Sequence, residues 1–429
     1  MNPLACVTRV PARRVTAFAL ALAALLAGSG CGAFETPEIR PCGWLDRPGD
    51  TPGDGQDRPR TALLVDVSPS TRPDRDTGPD TPVPDWAATV LSQRAAALPE
   101  LEGRDLSVAA FDGTRATVDW AVDRVSVPPV KGNDTLKKDR RSARRGCLED
   151  RLRTLSAKDP GTGRTDLLGA LAAAGEQLGP GGGRRVVVAT DGLTNTGCAD
   201  LRSAGFDGRD EIEAVVRHCR EAGELPDLTG AEVSLVGLGR AARGAAPSSP
   251  QTAWLTALWE RLCRATGASS CEVAARARTR PAAQLGGPAA ATEPAVTFPA
   301  VSERPAGRIV TLTLPGSVLF ATDRAELSST ARETLDRSAR RIRELGALSV
   351  TVLGHTDSRG TEERGKRLSL ARAQAVRAAL RDRGIPVAGA RGYSDDRPKC
   401  RPEYRDGLPH HAAMACNRRV EIDVTLRRR

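Results

Sequence analysis

Apolar positions divide the chain into two blocks in which short hydrophobic runs alternate with amphipathic stretches. In the first block Thr61-Ala62-Leu63-Leu64-Val65 is apolar almost throughout, the pattern of a strand covered on both faces. Leu106-Ser107-Val108-Ala109-Ala110-Phe111 repeats it, as do Arg185 to Thr190, with its Val186-Val187-Val188, and Glu232 to Leu238. Between these runs, Trp86 to Leu98, Thr165 to Leu178, Ile212 to Ala222 and Thr252 to Ala265 carry helical spacing. Such alternation predicts an α/β domain over 60–272, a doubly wound parallel sheet with helices on both faces. Ligands of such sheets sit at the carboxyl ends of the strands. The charged segment 131–160, carrying Cys147, reads as an insertion on that fold.

The second block, 306–429, predicts a small α+β domain of βαβαβ type. Val310 to Leu314 alternates as a strand. Leu335, Ala339, Ile342 and Leu345 line one face of a helix. Leu348 to Leu353 is the next strand, followed by a helix from Thr361 to Arg383 with Leu368, Ala375, Val376 and Leu380 turned inward. Val387 to Tyr393 and Arg419 to Leu426 supply further strands. Residues 32–59, rich in Pro, Gly and Asp, read as a tether. Residues 273–305, with Ala and Pro but little apolar period, read as a linker. Fully extended, that linker would reach on the order of 100 Å at roughly 3.1 Å per residue.

The N-terminus predicts export. Arg9, Arg13 and Arg14 precede the apolar run Val15 to Ala27, and Gly28-Ser29-Gly30-Cys31 follows. Residues 1–31 resemble a lipoprotein-type signal peptide, too short for a comfortable membrane span. Cys31 stands where bacterial lipoproteins carry the lipidated cysteine, although Gly28 replaces the usual Leu three positions earlier. The resemblance implies membrane anchoring in the cell envelope, at an outer membrane if there is one. Of ten cysteines, Cys6 and Cys31 fall in this segment, leaving Cys42, Cys147, Cys198, Cys219, Cys263, Cys271, Cys400 and Cys416. An even number in an exported chain favours disulfides. Eight cysteines allow 105 pairings. Cys263 with Cys271 and Cys400 with Cys416 are the pairs that close short loops within one domain. No C-x-x-C occurs and there are only four His, which disfavours a cysteine-histidine metal site.

Aromatics make up 3% of the 429 residues, so the cores must rest on Leu, Val and Ala. The net charge of +10 is carried mainly by Arg spread along the chain. That dispersal argues against nucleic acid and suits anionic wall polymers or lipid headgroups, or reflects only an Arg-favouring genome.

Three strand-end loops of the first block carry oxygen ligands: Asp66, Ser68 and Ser70 in Asp66-Val67-Ser68-Pro69-Ser70, Thr165 at a helix start, and Asp191 in Thr190-Asp191-Gly192. Two carboxylates with three hydroxyls suit a hard divalent cation such as Mg²⁺. Each residue alone would read as a turn or cap. In order and position they resemble the von Willebrand factor type A domain and its metal-ion-dependent adhesion site (MIDAS). The resemblance implies a protein partner whose acidic residue completes the metal shell. Pro69, between the serines, departs from the residues with an amide proton common there, and can distort the loop.

Three motifs lie in the second block: Gly354-His355-Thr356-Asp357-Ser358-Arg359-Gly360, then Leu368-Ser369-Leu370-Ala371-Arg372-Ala373, then Asn417-Arg418-Arg419-Val420-Glu421-Ile422. A carboxylate at a strand end and a guanidinium on the following helix can clamp a zwitterion. At this point residues 306–427 resemble the OmpA-like peptidoglycan-binding domain, whose ligand is the diaminopimelate side chain. The resemblance implies that Asp357 takes the ammonium and Arg372 the carboxylate. Thr356, Ser358 and Gly360 would supply hydroxyl or amide donors, and Arg419 a further charge unless Arg418 and Arg419 are exposed strand residues. Gly365 stands where the family often has Asn, removing one polar contact. His355 reads as a scaffold residue and His410-His411 as a loop pair.

The sequence therefore predicts a non-enzymatic envelope lipoprotein that binds peptidoglycan at one end and a protein in the middle. A component of a larger envelope complex, structural or signalling, is the alternative. An exported wall hydrolase fits less well, since neither G-x-S-x-G nor H-E-x-x-H occurs.

Overall fold

A computed structural model of the protein describes residues 42–46, 58–285, 292–320, 324–329, 331–405 and 407–427. The signal segment and Cys31 lie outside the described residues, as does most of the 32–59 tether.

The apolar run that opens the first lobe becomes the central strand Arg60–Asp66. Its alternate side chains feed two cores. Ala62 and Leu64 enter one, and Leu63 and Val65 enter the other. Val186 and Val188 divide in the same way from Val187 and Ala189 in strand Arg184–Ala189. This two-sided burial explains why neither strand shows a polar face. The sheet has six strands in the order Asp119–Ser126, Asp105–Phe111, Arg60–Asp66, Arg184–Ala189, Glu232–Val236 and Ser270–Ala274. All neighbours run parallel except the antiparallel edge strand Asp119–Ser126. Strand order reverses around Arg60–Asp66, so its carboxyl end opens on a natural ligand crevice.

Three expectations are revised here. The segment expected to be an insertion forms helix Asp134–Ser156, and Cys147, Leu148, Leu152 and Leu155 pack it onto the core. Only its charged first half stands in solvent, which is why its composition misleads. Residues 273–305 are not a free linker along their described length. They contain strand Thr279–Pro281, which pairs with Pro82–Pro84, and strand Ser302–Ala306, which extends the second sheet. Short ladders need few apolar side chains, because backbone groups make the bonds. The tether is fastened along its described residues, by a disulfide from Cys42 to Cys147, by Leu45 in the core and by an ion pair from Asp46 to Arg151.

The second sheet has five strands in the order Gly389–Gly392, Ala347–Gly354, Arg419–Leu426, Ile309–Pro315 and Ser302–Ala306. Helices Ala331–Glu344 and Glu362–Arg381 cover it, closing a core around Leu335, Ile342, Val352, Val376, Leu380 and Ile422. Gly354 and Gly392 let helix Glu362–Arg381 lie directly on the strand ends. A Cβ at Gly354 would meet the Ser369 carbonyl oxygen at 1.9 Å, and one at Gly392 the Leu370 nitrogen at 2.5 Å.

Four disulfides form: Cys42–Cys147, Cys198–Cys219, Cys263–Cys271 and Cys400–Cys416. The last two are the pairs expected from loop length. The two lobes belong to one compact unit, Pro41–Arg429. No helix among the described residues is long and apolar enough to cross a membrane.

Candidate functional site

Asp357 follows strand Ala347–Gly354 and is buried, 6% exposed. Its Oδ2 accepts from Arg359 Nη2 at 2.8 Å and Nε at 3.1 Å, and from Arg418 Nη1. Among the described residues, Oδ1 receives one hydrogen bond, from the Arg359 backbone N–H at 3.2 Å. Burial opposes the charge, but the two guanidinium groups outweigh it and hold the carboxyl below its usual range.

Arg372 is also buried, on helix Glu362–Arg381 one turn after Ser369. Its Nε donates to the Arg324 carbonyl at 2.9 Å, and its guanidinium lies 5.1 Å from the Phe320 ring centroid. A short chain of hydrogen bonds from backbone amides ties the two motifs together. Thr356 N donates to the Ser394 carbonyl at 2.9 Å, and Ser394 N donates to Ser369 Oγ at 3.1 Å. Asp357 is therefore bonded to Arg359 and Arg418, while Arg372 is fixed through its own helix and Phe320.

The other expected residues take distinct places. Ser358 N donates to Glu403 Oε2 at 2.8 Å. Gly360 adopts φ +88°, a conformation that favours glycine, just before Thr361 caps the helix. Gly365 has a packing role instead of marking a lost contact: a Cβ there would meet Ser394 Oγ at 2.1 Å. Arg419 turns away from Asp357, with Nε donating to Glu421 Oε1 at 2.8 Å and Nη2 to the Arg397 carbonyl at 3.0 Å. Arg418, in the bend between helix His411–Asn417 and strand Arg419–Leu426, is the residue that reaches Asp357. Neither arginine is exposed. His355 is a scaffold residue, its Nε2 lying 3.3 Å from Glu421 Oε2 and its ring stacked on Tyr393. The Glu421 carboxyl is opposed by burial, but His355 and Arg419 bring it down to about 2. Sequence reasoning missed Arg359, Arg418, Ser394 and Glu403. Of these, Arg359 and Arg418 lay inside the quoted motifs.

In the first lobe the five oxygen-bearing residues converge. Asp66, Ser68, Thr165 and Asp191 are fully buried. Ser68 N donates to Asp66 Oδ1 at 2.9 Å, and the Ser68 and Ser70 hydroxyls lie 3.2 Å apart. Thr190 Oγ1 donates to Asp66 Oδ2 at 2.6 Å. Asp191 Oδ1 accepts from Leu193 N at 2.9 Å, while its Oδ2 is buried without a well-formed hydrogen bond. Burial, and then repulsion from Asp191, pushes the Asp66 carboxyl well above its usual range. Pro69 does not distort the loop. It opens the short turn Pro69–Thr71, where a missing N–H leaves no bond unmade.

Among the described residues no group of three or more His, Cys, Asp or Glu side chains is gathered to hold a metal ion. A cation here would rely on the hydroxyls and water as well as on the two carboxylates. Asp191 fits that demand, because its carboxylate is buried, with the Ser70 hydroxyl beside it and no well-formed hydrogen bond at Oδ2, and such an oxygen calls for positive charge.

Residues 319–401 match the model of the OmpA family. The C-terminal lobe therefore carries an OmpA-like domain. Outer membrane protein A of Bordetella avium is 31% identical over 122 residues, which make up 28% of this chain and 61% of that protein. The peptidoglycan-associated lipoprotein of Brucella melitensis is 32% identical over 90 residues, 20% of this chain and 54% of that protein. The chain thus spans little more than half the length of these curated relatives. The solved structure of the cell wall anchor of the T6SS from Pseudomonas aeruginosa is 32% identical, covering 30% of this chain and 88% of that one, with a TM-score of 0.26.

Proposed function

We propose that the protein is a non-enzymatic cell-envelope component whose second lobe grips peptidoglycan and whose first lobe holds a protein partner through a divalent cation. The observation that carries the wall reading is Asp357, a buried, ionised carboxylate whose Oδ1 has room for another donor. A diaminopimelate ammonium is such a donor, and Arg372, held rigid by Phe320 and the Arg324 carbonyl, is the cation for its carboxylate. The names of the relatives, a peptidoglycan-associated lipoprotein among them, support the same class of ligand. Lipid attachment at Cys31 would place the protein at a membrane facing the wall.

The first lobe supports a von Willebrand type A reading, with Asp66, Ser68, Ser70, Thr165 and Asp191 as ligands of Mg²⁺ or another divalent ion, directly or through water. The ion would supply an electrophilic centre for an acidic residue of the partner.

Sedimentation with purified peptidoglycan tests the wall reading. Wild type should pellet, and the double variant Asp357→Ala with Arg372→Ala should stay in solution while retaining its circular dichroism spectrum. Equal pelleting of folded variant and wild type would remove the clamp. Calorimetry tests the metal: Asp66→Ala should lose Mg²⁺ binding.

A further inference from the structure

The segment between the lobes returns to the oxygen cluster of the first lobe. Glu293 Oε2 accepts from Asn195 Nδ2 at 3.0 Å and lies 3.4 Å from Thr165 Oγ1. Asn195 is itself fixed against Thr165: its Oδ1 accepts from Thr165 N at 2.9 Å, and its N donates to the Thr165 carbonyl at 3.2 Å. Asn195 Nδ2 also donates to the Pro294 carbonyl at 3.2 Å. Thr165 and Asn195 thus present one edge of the cluster, and Glu293 rests on that edge.

The chain on either side is anchored. Val296 and Phe298 pack against the first-lobe core, and Phe298 lies 4.5 Å from the Phe206 ring. Gln251 Nε2 donates to the Pro299 carbonyl at 2.8 Å. On the other side, a Cβ at Gly163 would meet the Thr292 carbonyl oxygen at 2.8 Å, so the segment crosses close over the loop before Thr165. Beside it is a cavity of about 330 Å³ lined by Ser70, Asn195, Arg243, Glu293 and Phe298, among others.

Glu293 therefore sits at Thr165, on the edge of the cluster that holds Asp66 and Asp191. Asp191 Oδ2 is buried without a well-formed hydrogen bond, and a buried carboxylate oxygen calls for positive charge. Nearby Arg243 donates to the Pro69 carbonyl, and its charge also acts on Asp191 and Glu293.

We propose that Glu293 is a built-in ligand of the divalent-cation site, seated where a partner's acidic residue would otherwise complete the shell. The inference rests on the metal reading above. In consequence the site is closed to outside carboxylates until segment 292–298 withdraws, and a partner must compete with a carboxylate tethered in the same chain. The effective concentration of such a tethered group is high, so a weak intramolecular bond suffices to exclude a weak partner.

The test uses the full mature chain and Mn²⁺ as the probe. Wild type should bind Mn²⁺, and Asp66→Ala should abolish binding. Glu293→Gln should weaken it by about tenfold and raise the number of fast-exchanging water molecules on the bound ion by one, read from proton relaxation. Hydrogen exchange provides the second readout: Mg²⁺ should slow exchange of amides 292–298 in wild type and not in Glu293→Gln. If wild type binds no Mn²⁺, the metal reading fails and the inference with it. If wild type binds and Asp66→Ala does not, while Glu293→Gln matches wild type in affinity, hydration and exchange, the metal stands and the built-in ligand is overturned.

Discussion

Arg418 of the second lobe and Asp207 of the first form a buried ion pair, Nε to Oδ2 at 2.6 Å, with their side chains 7% and 6% exposed. The same guanidinium donates to Asp357 through Nη1 and to the Asp207 carbonyl through Nη2 at 3.1 Å. One arginine thus joins the carboxylate expected to grip the wall to the lobe expected to grip a partner. Removing Asp207 leaves Arg418 with Asp357 as its remaining carboxylate and strips it of a charge-assisted hydrogen bond, which costs roughly 1.5–3 kcal/mol. Asp207→Ala should therefore lower stability by that order in urea unfolding followed by fluorescence. A loss under about 0.5 kcal/mol, the scale of ordinary surface changes, would mean that the pair is not formed in solution.

Arg359 makes a different prediction, because it competes for Asp357 without being deeply locked. It donates to Asp357 Oδ2 and, through Nη1, to Asp210 Oδ2 of the first lobe at 2.9 Å, while Asp210 is 77% exposed. A cationic ligand approaching Asp357 meets this guanidinium as a like charge. Arg359→Ala should strengthen binding to soluble diaminopimelate-bearing muropeptides several-fold, and the gain should shrink at high salt. Weaker binding in that variant would show that Arg359 holds Asp357 in place for the ligand.

How far these sites were legible depends on where elements end. The motif Asn417-Arg418-Arg419 signals two arginines, but not that the strand begins at Arg419 and leaves Arg418 in the bend before it, where its side chain reaches Asp357. The runs around Leu64 and Val187 were legible because burial on both faces leaves an unbroken apolar string. Strand Asp119–Ser126 was not, being a polar edge with only Val122 and Val125 buried. Cys263–Cys271 and Cys400–Cys416 were legible from short loops. Cys42–Cys147 and Cys198–Cys219 were not, since their closeness comes from tertiary packing. Glu293 gave no signal because its segment has no periodicity and its meaning lies in what it returns to.

Gly354 ties packing to the wall site. The Ser369 carbonyl would stand 1.9 Å from a Cβ at this position, and Ser369 lies one turn before Arg372. Gly354→Ala must push helix Glu362–Arg381 off the strand. The expected cost is about 3 kcal/mol, the upper range for overpacking. Peptidoglycan sedimentation should fall with it, because Arg372 moves with the helix. A variant that loses stability but pellets fully would separate the helix position from ligand binding.

The Cys42–Cys147 bridge spans 105 residues and fastens the N-terminal segment to helix Asp134–Ser156. Closing so long a loop in the unfolded chain is worth about 4 to 5 kcal/mol in the chain-entropy account. Cys42→Ala with Cys147→Ala should lower the urea midpoint accordingly, with the other three bridges intact by mass spectrometry. An unchanged midpoint would mean that the bridge does not form in the folded protein.

Glu421 gives the second lobe a defined response to acid. Its carboxyl is held down to about 2 against an ordinary 4.5, burial being outweighed by His355 and Arg419. A depressed carboxyl stabilises the folded state above its unfolded pKa and loses that contribution as pH falls through the folded value. The window therefore runs from about pH 4.5 down to about pH 2, and the side chain is 15% exposed, so solvent screens it little. A shift of this size corresponds to about 3 kcal/mol at neutral pH, as an upper figure. Urea unfolding of wild type and Glu421→Gln at intervals from pH 7 to pH 2.5 reads it directly. Wild type should be the more stable at pH 7, and the difference should narrow steadily below pH 4.5. A constant difference across that range would show that the Glu421 charge contributes nothing to the fold, leaving its hydrogen-bond geometry as the only source.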